Sequence, residues 1–297
     1  MSPIPPARRR GIGCPWHAVL LLLACAAGPV GAADGSAVPL ELGGRLVQGS
    51  LVFGRTAPDA AVRFDGDPVR VSPDGVFLIG FGRDAPETQS LVVTLPDGRT
   101  RERTLHIARH EYDIQRIDGI APDKVNPPED EWPRIRNEIE RVKQARRRDD
   151  ARTDFLQDFH WPLVGPITGV YGSQRVYNGE PRRPHYGVDI AAPAGTVVHA
   201  PAAGIVTVAD PDMYFSGGTI ILDHGHGLSS AFLHMRKLYV HVGQRVEQGG
   251  ALGEVGSRGR ATGAHLDWRI NLFQRRLDPT FLVGPMPDHG ARQAASE

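Results

Sequence analysis

Two short stretches of this chain place imidazoles and carboxylates where they could share one ion. In His185-Tyr186-Gly187-Val188-Asp189 a histidine and an aspartate stand four residues apart, and Pro184 before them and Ala192-Pro193 after them disfavour a helix. On an extended segment positions 185 and 189 point to the same side. In His265-Leu266-Asp267 the i and i+2 side chains share a strand face, and Leu266 is expected to point into the opposite layer. A third element, Ser230-Ala231-Phe232-Leu233-His234, is a β-type run whose terminal histidine can approach the same groove. Zinc accepts histidine nitrogen and aspartate oxygen at about 2.0–2.2 Å, and a catalytic site combines three protein ligands with a water. The chemistry to expect is therefore attack by metal-activated water. Taken singly each pair is a weak signal, because a lone histidine is more often a surface or satisfied core residue.

The elements that must position these residues are mainly β. From 155 to 284 short strand-like runs recur with a weak internal repeat, Gly195-Thr196-Val197-Val198 and Gly204-Ile205-Val206 being echoed by Gly243-Gln244-Arg245-Val246 and Gly253-Glu254-Val255. Two such units facing each other predict a sandwich with a groove between its sheets. Upstream, six candidate strands (45–53, 61–64, 68–71, 76–81, 90–95 and 101–107) are punctuated by Asp65-Gly66, Pro73-Asp74-Gly75 and Pro96-Asp97-Gly98. They predict a β-sandwich of immunoglobulin-like type over 40–110. Residues 111–150 read as a linker. Within it Trp132, Ile135, Ile139 and Val142 recur at helical spacing, predicting an amphipathic helix over 130–148 whose apolar stripe packs on a neighbouring domain. A frayed tail is expected over 285–297.

Composition narrows the function classes. With 297 residues the chain has room for about two domains. Its 34 basic and 34 acidic residues cancel, which argues against a dedicated nucleic-acid binder. The first 32 residues read as an export signal: Arg8-Arg9-Arg10, an apolar run over 18–27, then the small residues Val30-Gly31-Ala32. That run is too short for a span of about 20 residues, so no transmembrane helix is expected. Both cysteines, Cys14 and Cys25, fall inside this leader, and cleavage after Ala32 leaves no thiol for disulfides or metal. Leu22-Leu23-Ala24-Cys25 also resembles a bacterial lipobox, an alternative in which Cys25 carries a lipid anchor. Either route leads to the periplasm or cell envelope. The chain has neither a G-x-S-x-G nucleophile elbow nor a P-loop.

In order and flanks, His185-x3-Asp189, the 195–206 segment, His224-Gly225-His226-Gly227-Leu228, Leu233-His234 and Gly263-Ala264-His265-Leu266-Asp267-Trp268 together resemble the lysostaphin-type zinc metallopeptidases, peptidase family M23. The resemblance covers about 161–282, and the upstream β-region and helix look like the arrangement of proteobacterial exported members. It implies a C-terminal duplicated-hybrid-motif β-sandwich, a metal on His185, Asp189 and the third ligand position, and catalytic roles for His234 and His265. The substrate class it implies is the peptide cross-link of peptidoglycan stem peptides, cut by a D,D-endopeptidase, with a regulatory envelope protein as a further partner.

At the third ligand position the chain departs from the family, carrying Asp267 in an H-x-D motif. Aspartate is an accepted zinc ligand. One neutral histidine with two carboxylates would neutralise Zn²⁺, acidify its water less, and favour a slower hydrolase or a harder ion such as Mn²⁺. The other reading is a degenerate family member that has lost its metal and binds peptidoglycan or activates another murein hydrolase. Among the remaining polar residues, His224 and His226 are expected in backbone-bonding or surface roles at a turn, His199 and His241 at the surface, and Arg175 and Asn178 in a structural loop.

Overall fold

The computed structural model describes residues 37–119, 123 and 126–287. The leader with Cys14 and Cys25, and the tail from 288, lie outside them. Frequent Gly and Pro keep the strands short. The first seven are β1 (Glu41–Gly44), β2 (Leu51–Arg55), β3 (Ala61–Phe64), β4 (Asp67–Val69), β5 (Val76–Gly80), β6 (Thr88–Thr94) and β7 (Thr100–His106). They form a sheet β1-β2-β5 and a sheet β4-β3-β6-β7, all antiparallel. The single strand expected over 45–53 is instead the end of a hairpin. The chain breaks at Gly44 and Gly49, whose φ values of 115° and 91° suit only glycine, so strand structure resumes at Leu51.

The sheet β1-β2-β5 is apolar on both faces. Along β5, Phe77 and Ile79 join a core with Val62, Phe64, Leu91 and Leu105, whereas Val76 and Leu78 join the core of the C-terminal half, where Leu51 of β2 also lies. Period-two alternation therefore sends successive residues of one strand into two different cores.

After β8 (Ile114–Ile117) comes α1 (Trp132–Ala145), begun by Pro133 in its first turn. The helix is shorter at both ends than expected. Of its apolar stripe only Ile135 is fully buried; Trp132 and Ile139 stay exposed.

The C-terminal half comprises β9 (Ile167–Gly169), β10 (Gln174–Tyr177), β11 (Glu180–Pro181), β12 (Val188–Ala191), β13 (Val197–His199), β14 (Gly204–Met213), β15 (Gly217–Gly225), β16 (Leu228–Met235), β17 (Lys237–Leu238), β18 (Arg245–Val246), β19 (Ala251–Glu254), β20 (His265–Leu272) and β21 (Arg275–Leu277). Its main sheet runs β18-β14-β15-β16-β20-β12-β9, with β21 added on β20, and β13-β19-β17 form a second sheet. One face of the main sheet buries Ile220, Leu222, Phe232, Leu266, Trp268 and Ile270 in the core. On the other face Val208, Met213, Ile221, Ala231 and Leu233 meet Val142 and Ala145 of α1. The cavity beside the chemistry is thus bounded by α1 and this outer face, not by two facing sheets as the repeat suggested.

Candidate metal centre

Strand register brings the two carboxylates together. Asp189 of β12 lies directly opposite Asp267 of β20, and Leu233 of β16 lies opposite Asp267 from the other side. Facing like charges on neighbouring strands are unfavourable, and both side chains are buried. The pair therefore demands cations nearby. Gly187 permits the approach, since a Cβ there would overlap Asp267 Oδ1.

His185 lies three residues before β12, outside any assigned strand, its backbone bonded to Ser173 and Gly172. It nevertheless reaches Asp189, its Nε2 lying 3.1 Å from Asp189 Oδ1. Neither atom makes a hydrogen bond among the described residues, and both are buried. Ligand atoms of His185, Asp189 and Asp267 all lie within 4.8 Å of one another. A histidine nitrogen and a carboxylate oxygen, both buried without a hydrogen bond and facing across a small gap, fit a cation.

The two remaining histidines line up beside this cluster. His265 shares the face of Asp267 on β20, and its Nε2 is 3.8 Å from Asp189 Oδ1. Its Nδ1 is 2.9 Å from the Gly263 carbonyl; because a carbonyl only accepts, Nδ1 carries a proton and donates, and Nε2 faces the site. His234 is set the same way, Nδ1 donating to the Arg258 carbonyl at 2.8 Å. The rings are 4.8 Å apart. Strict alternation would turn His234 away from Leu233, yet both line the same cavity. A φ of +67° at His234 breaks the alternation, strained backbone held at a polar site. Burial pushes the His234 imidazole down to about 4, so it is neutral at pH 7.

Sequence reasoning missed Arg269 and placed Arg175 in a loop. Arg269, two residues beyond Asp267 and so on the same strand face, grips that carboxylate with both prongs, Nε to Oδ1 at 2.9 Å and Nη2 to Oδ2 at 2.6 Å. Arg175, expected in a loop, lies on β10 and pairs with Asp189 Oδ2. Their effect shows in the acids. Burial alone would raise the Asp189 carboxyl, but His185 and Arg175 beside it outweigh this and hold it near 2. Asp267 is likewise held below the usual carboxylate range, against burial, chiefly by Arg269. The charge balance expected for one histidine and two free carboxylates is therefore not that of the site. The i, i+2 rule could have flagged Arg269, whereas the contact of Arg175 with Asp189 joins two different sheets and had no local signal.

Of the backbone-bonding or surface roles expected, His224 takes the first, and both His224 and His226 are buried. His224 is fully buried, with Nδ1 on the Ala203 carbonyl at 2.7 Å and Nε2 2.8 Å from Ser230 Oγ, and the His226 ring packs 4.8 Å from Phe155. His199 and His241 are exposed.

Residues 183–279, which contain the three candidate ligands and both neighbouring histidines, match Peptidase family M23. The candidate site thus lies within a stretch similar to that family. The chain is 34% identical over 102 residues to the peptidoglycan DD-endopeptidase ShyA of Vibrio cholerae, covering 31% of this chain and 24% of that protein. To the DD-carboxypeptidase/endopeptidase Mpg of Neisseria meningitidis it is 32% identical over 106 residues, covering 36% of this chain and 24% of that one. The chain thus spans about a quarter of the length of these curated relatives. A crystal structure from Pseudomonas aeruginosa described as an M23 peptidase by assignment superposes with a TM-score of 0.61 at 29% identity, covering 81% of this chain and 96% of that one. That coverage is larger than the matched stretch alone supplies, so the likeness extends into the elements before it.

Proposed function

We propose that this chain is an exported metal-dependent endopeptidase that hydrolyses the peptide cross-links of peptidoglycan as a D,D-endopeptidase. The observation that carries the reading is the pair of buried, unbonded atoms His185 Nε2 and Asp189 Oδ1, 3.1 Å apart, beside Asp267 and the histidines His234 and His265. The M23 domain and its peptidoglycan-cleaving relatives supply the substrate class. In this reading the leader 1–32 delivers the chain to the periplasm, 40–110 is an immunoglobulin-like sandwich, 111–150 a linker and 155–284 the catalytic domain.

His185, Asp189 and Asp267 would hold the ion, zinc in the first instance and Mn²⁺ as the harder alternative. When bound, it supplies Lewis-acid polarisation of the scissile carbonyl and a more acidic water. The chain's own part is proton handling: His234 and His265 each keep a proton on Nδ1 against a backbone carbonyl and offer Nε2 to the site. One of the two Nε2 atoms takes the proton from the water, and it is returned to the leaving amine. The α1 wall and the sheet exclude bulk water from one side.

The test is digestion of purified peptidoglycan by the mature protein with zinc or manganese, read by chromatography of the released muropeptides. Cross-linked dimers should convert to monomers, and His185→Ala and His234→Ala should each abolish the conversion. No conversion with either ion overturns the reading. A specific observation favours a second reading, a degenerate domain that binds peptidoglycan or activates another hydrolase: the two-pronged grip of Arg269 on Asp267. Retained binding to sacculi without metal uptake would select it.

A further inference from the structure

The cavity that contains His234 and Asp267 continues beneath α1 to a volume of about 1010 Å³. Its lining is strongly and unevenly charged. Among the described residues only two carboxylates face it, Glu138 and Asp267, and both are already bonded: Glu138 accepts from Arg134 at 2.9 Å and from the Tyr214 backbone N–H at 2.9 Å, and Asp267 is held by Arg269. Arg175 is paired with Asp189, and Arg182 with Glu180.

Four further arginines of the lining, Arg146, Arg183, Arg260 and Arg276, have no carboxylate partner among the described residues, and of these Arg183 is exposed. Arg146, the residue that caps α1, is 7% exposed, and its Nε is buried without a hydrogen bond. Arg260 stacks on the Tyr177 and Phe215 rings, 4.9 Å from each centroid. Arg276 stacks on Tyr186 at 4.8 Å. Aromatic stacking orients a guanidinium but leaves its N–H donors in the ring plane unsatisfied. Burying an unpaired charge is costly, and here several lie within one another's field. Burial, followed by the Arg276 and Arg269 cations, pushes Arg146 down to about 9; burial and Arg269 push Arg276 to about 10. A bound anion would reverse both shifts.

The remaining wall is apolar, formed by Ile135, Val142, Met213 and Ile221. A lone inorganic anion would leave that wall and most of the volume unfilled. We propose that this cavity is a binding site for an acidic peptide, whose carboxylates are held by Arg146, Arg260 and Arg276 while its apolar atoms lie against α1. Guanidinium forks match carboxylates in two-pronged geometry. The assignment rests on the hydrolase reading only for the role of such a peptide as substrate; the binding itself needs no metal.

Calorimetric titration and melting curves of the mature protein in chelator-treated buffer test it directly. The probes are a glutamate-containing tripeptide with free side-chain and terminal carboxylates, the same peptide fully amidated, and inorganic phosphate. The free-acid peptide should bind and raise the Tm, amidation should weaken binding about tenfold or more, and Arg146→Gln and Arg276→Gln should each do the same to the free acid. Arg146→Met should raise the Tm without ligand, because it removes an unpaired buried charge. Equal binding of the acid and amide forms, or no binding of either, overturns the proposal. Stabilisation by phosphate equal to that by the peptide overturns the peptide assignment. Should these fail while peptidoglycan digestion proceeds, the hydrolase reading stands and only the arginine site falls.

Discussion

The decisive residue is Arg269. It makes Asp267 a carboxylate already compensated before any ion arrives, through two bonds of 2.9 and 2.6 Å. A divalent ion must then either share the carboxylate with the guanidinium or displace it, and either costs affinity. Removing the arginine leaves two buried carboxylates facing each other across β12 and β20 and takes away the cation that grips Asp267. Breaking such a buried pair typically destabilises by about 3–5 kcal/mol. Arg269→Ala should therefore lower the Tm in chelator and gain most of it back with one equivalent of zinc, because the ion replaces the lost charge. Zinc affinity by competitive chelation should rise in the variant. If affinity is unchanged and zinc gives no thermal rescue, Arg269 does not compete with the metal.

At the scale of elements, α1 forms one wall of the cavity, and its hold on the sheet is narrow. Ile135 is 1% exposed, Glu138 reaches across to the Tyr214 N–H, and Arg141 pairs with Asp210 at 2.6 Å at the exposed surface. The surface pair contributes little; the buried isoleucine carries the docking. Ile135→Ala should cost about 2–5 kcal/mol and speed hydrogen exchange across 132–145, while Arg141→Ala should leave both within error. Equal effects would place the hold in the ion pairs instead. The helix itself was legible in the spacing of its apolar residues, but not its partner surface: Trp132 and Ile139, half of the stripe, face the cavity region and stay exposed. Of the site, the i, i+2 pair on β20 was legible because strand geometry fixes it locally. The opposition of Asp189 and Asp267 depends on register between strands nearly eighty residues apart, and the turn of His234 depends on a positive φ. Neither leaves a trace in spacing. The groove was misplaced for the same reason, since a repeat reveals two similar units but not which sheet face a helix will cover.

For the whole molecule, the sheet β1-β2-β5 decides whether the two halves behave as one. Its two faces feed two cores: Phe77 and Ile79 on one side, Val76, Leu78 and Leu51 on the other, the latter packed with Phe155, Leu272 and Leu277 of the C-terminal half. Polar ties cross the same boundary, with the Asp278 N–H donating to the Gly49 carbonyl at 2.7 Å and Arg275 to the Gly80 carbonyl at 2.8 Å. A half that lost this sheet would expose Leu272 and Leu277 to water, at about 25 cal/mol per Å² of apolar surface. Folding of the two halves should therefore be coupled. Calorimetry of the mature protein should show one transition, with equal calorimetric and van't Hoff enthalpies. Leu78→Ala, which faces the C-terminal core, and Phe77→Ala, which faces the N-terminal one, should each lower that single Tm by several degrees, without splitting the peak. Two resolved transitions, only one of them moved by each variant, would mean that the shared sheet is a contact between independent domains. With one shared fold, deleting the N-terminal strands removes part of the C-terminal core as well.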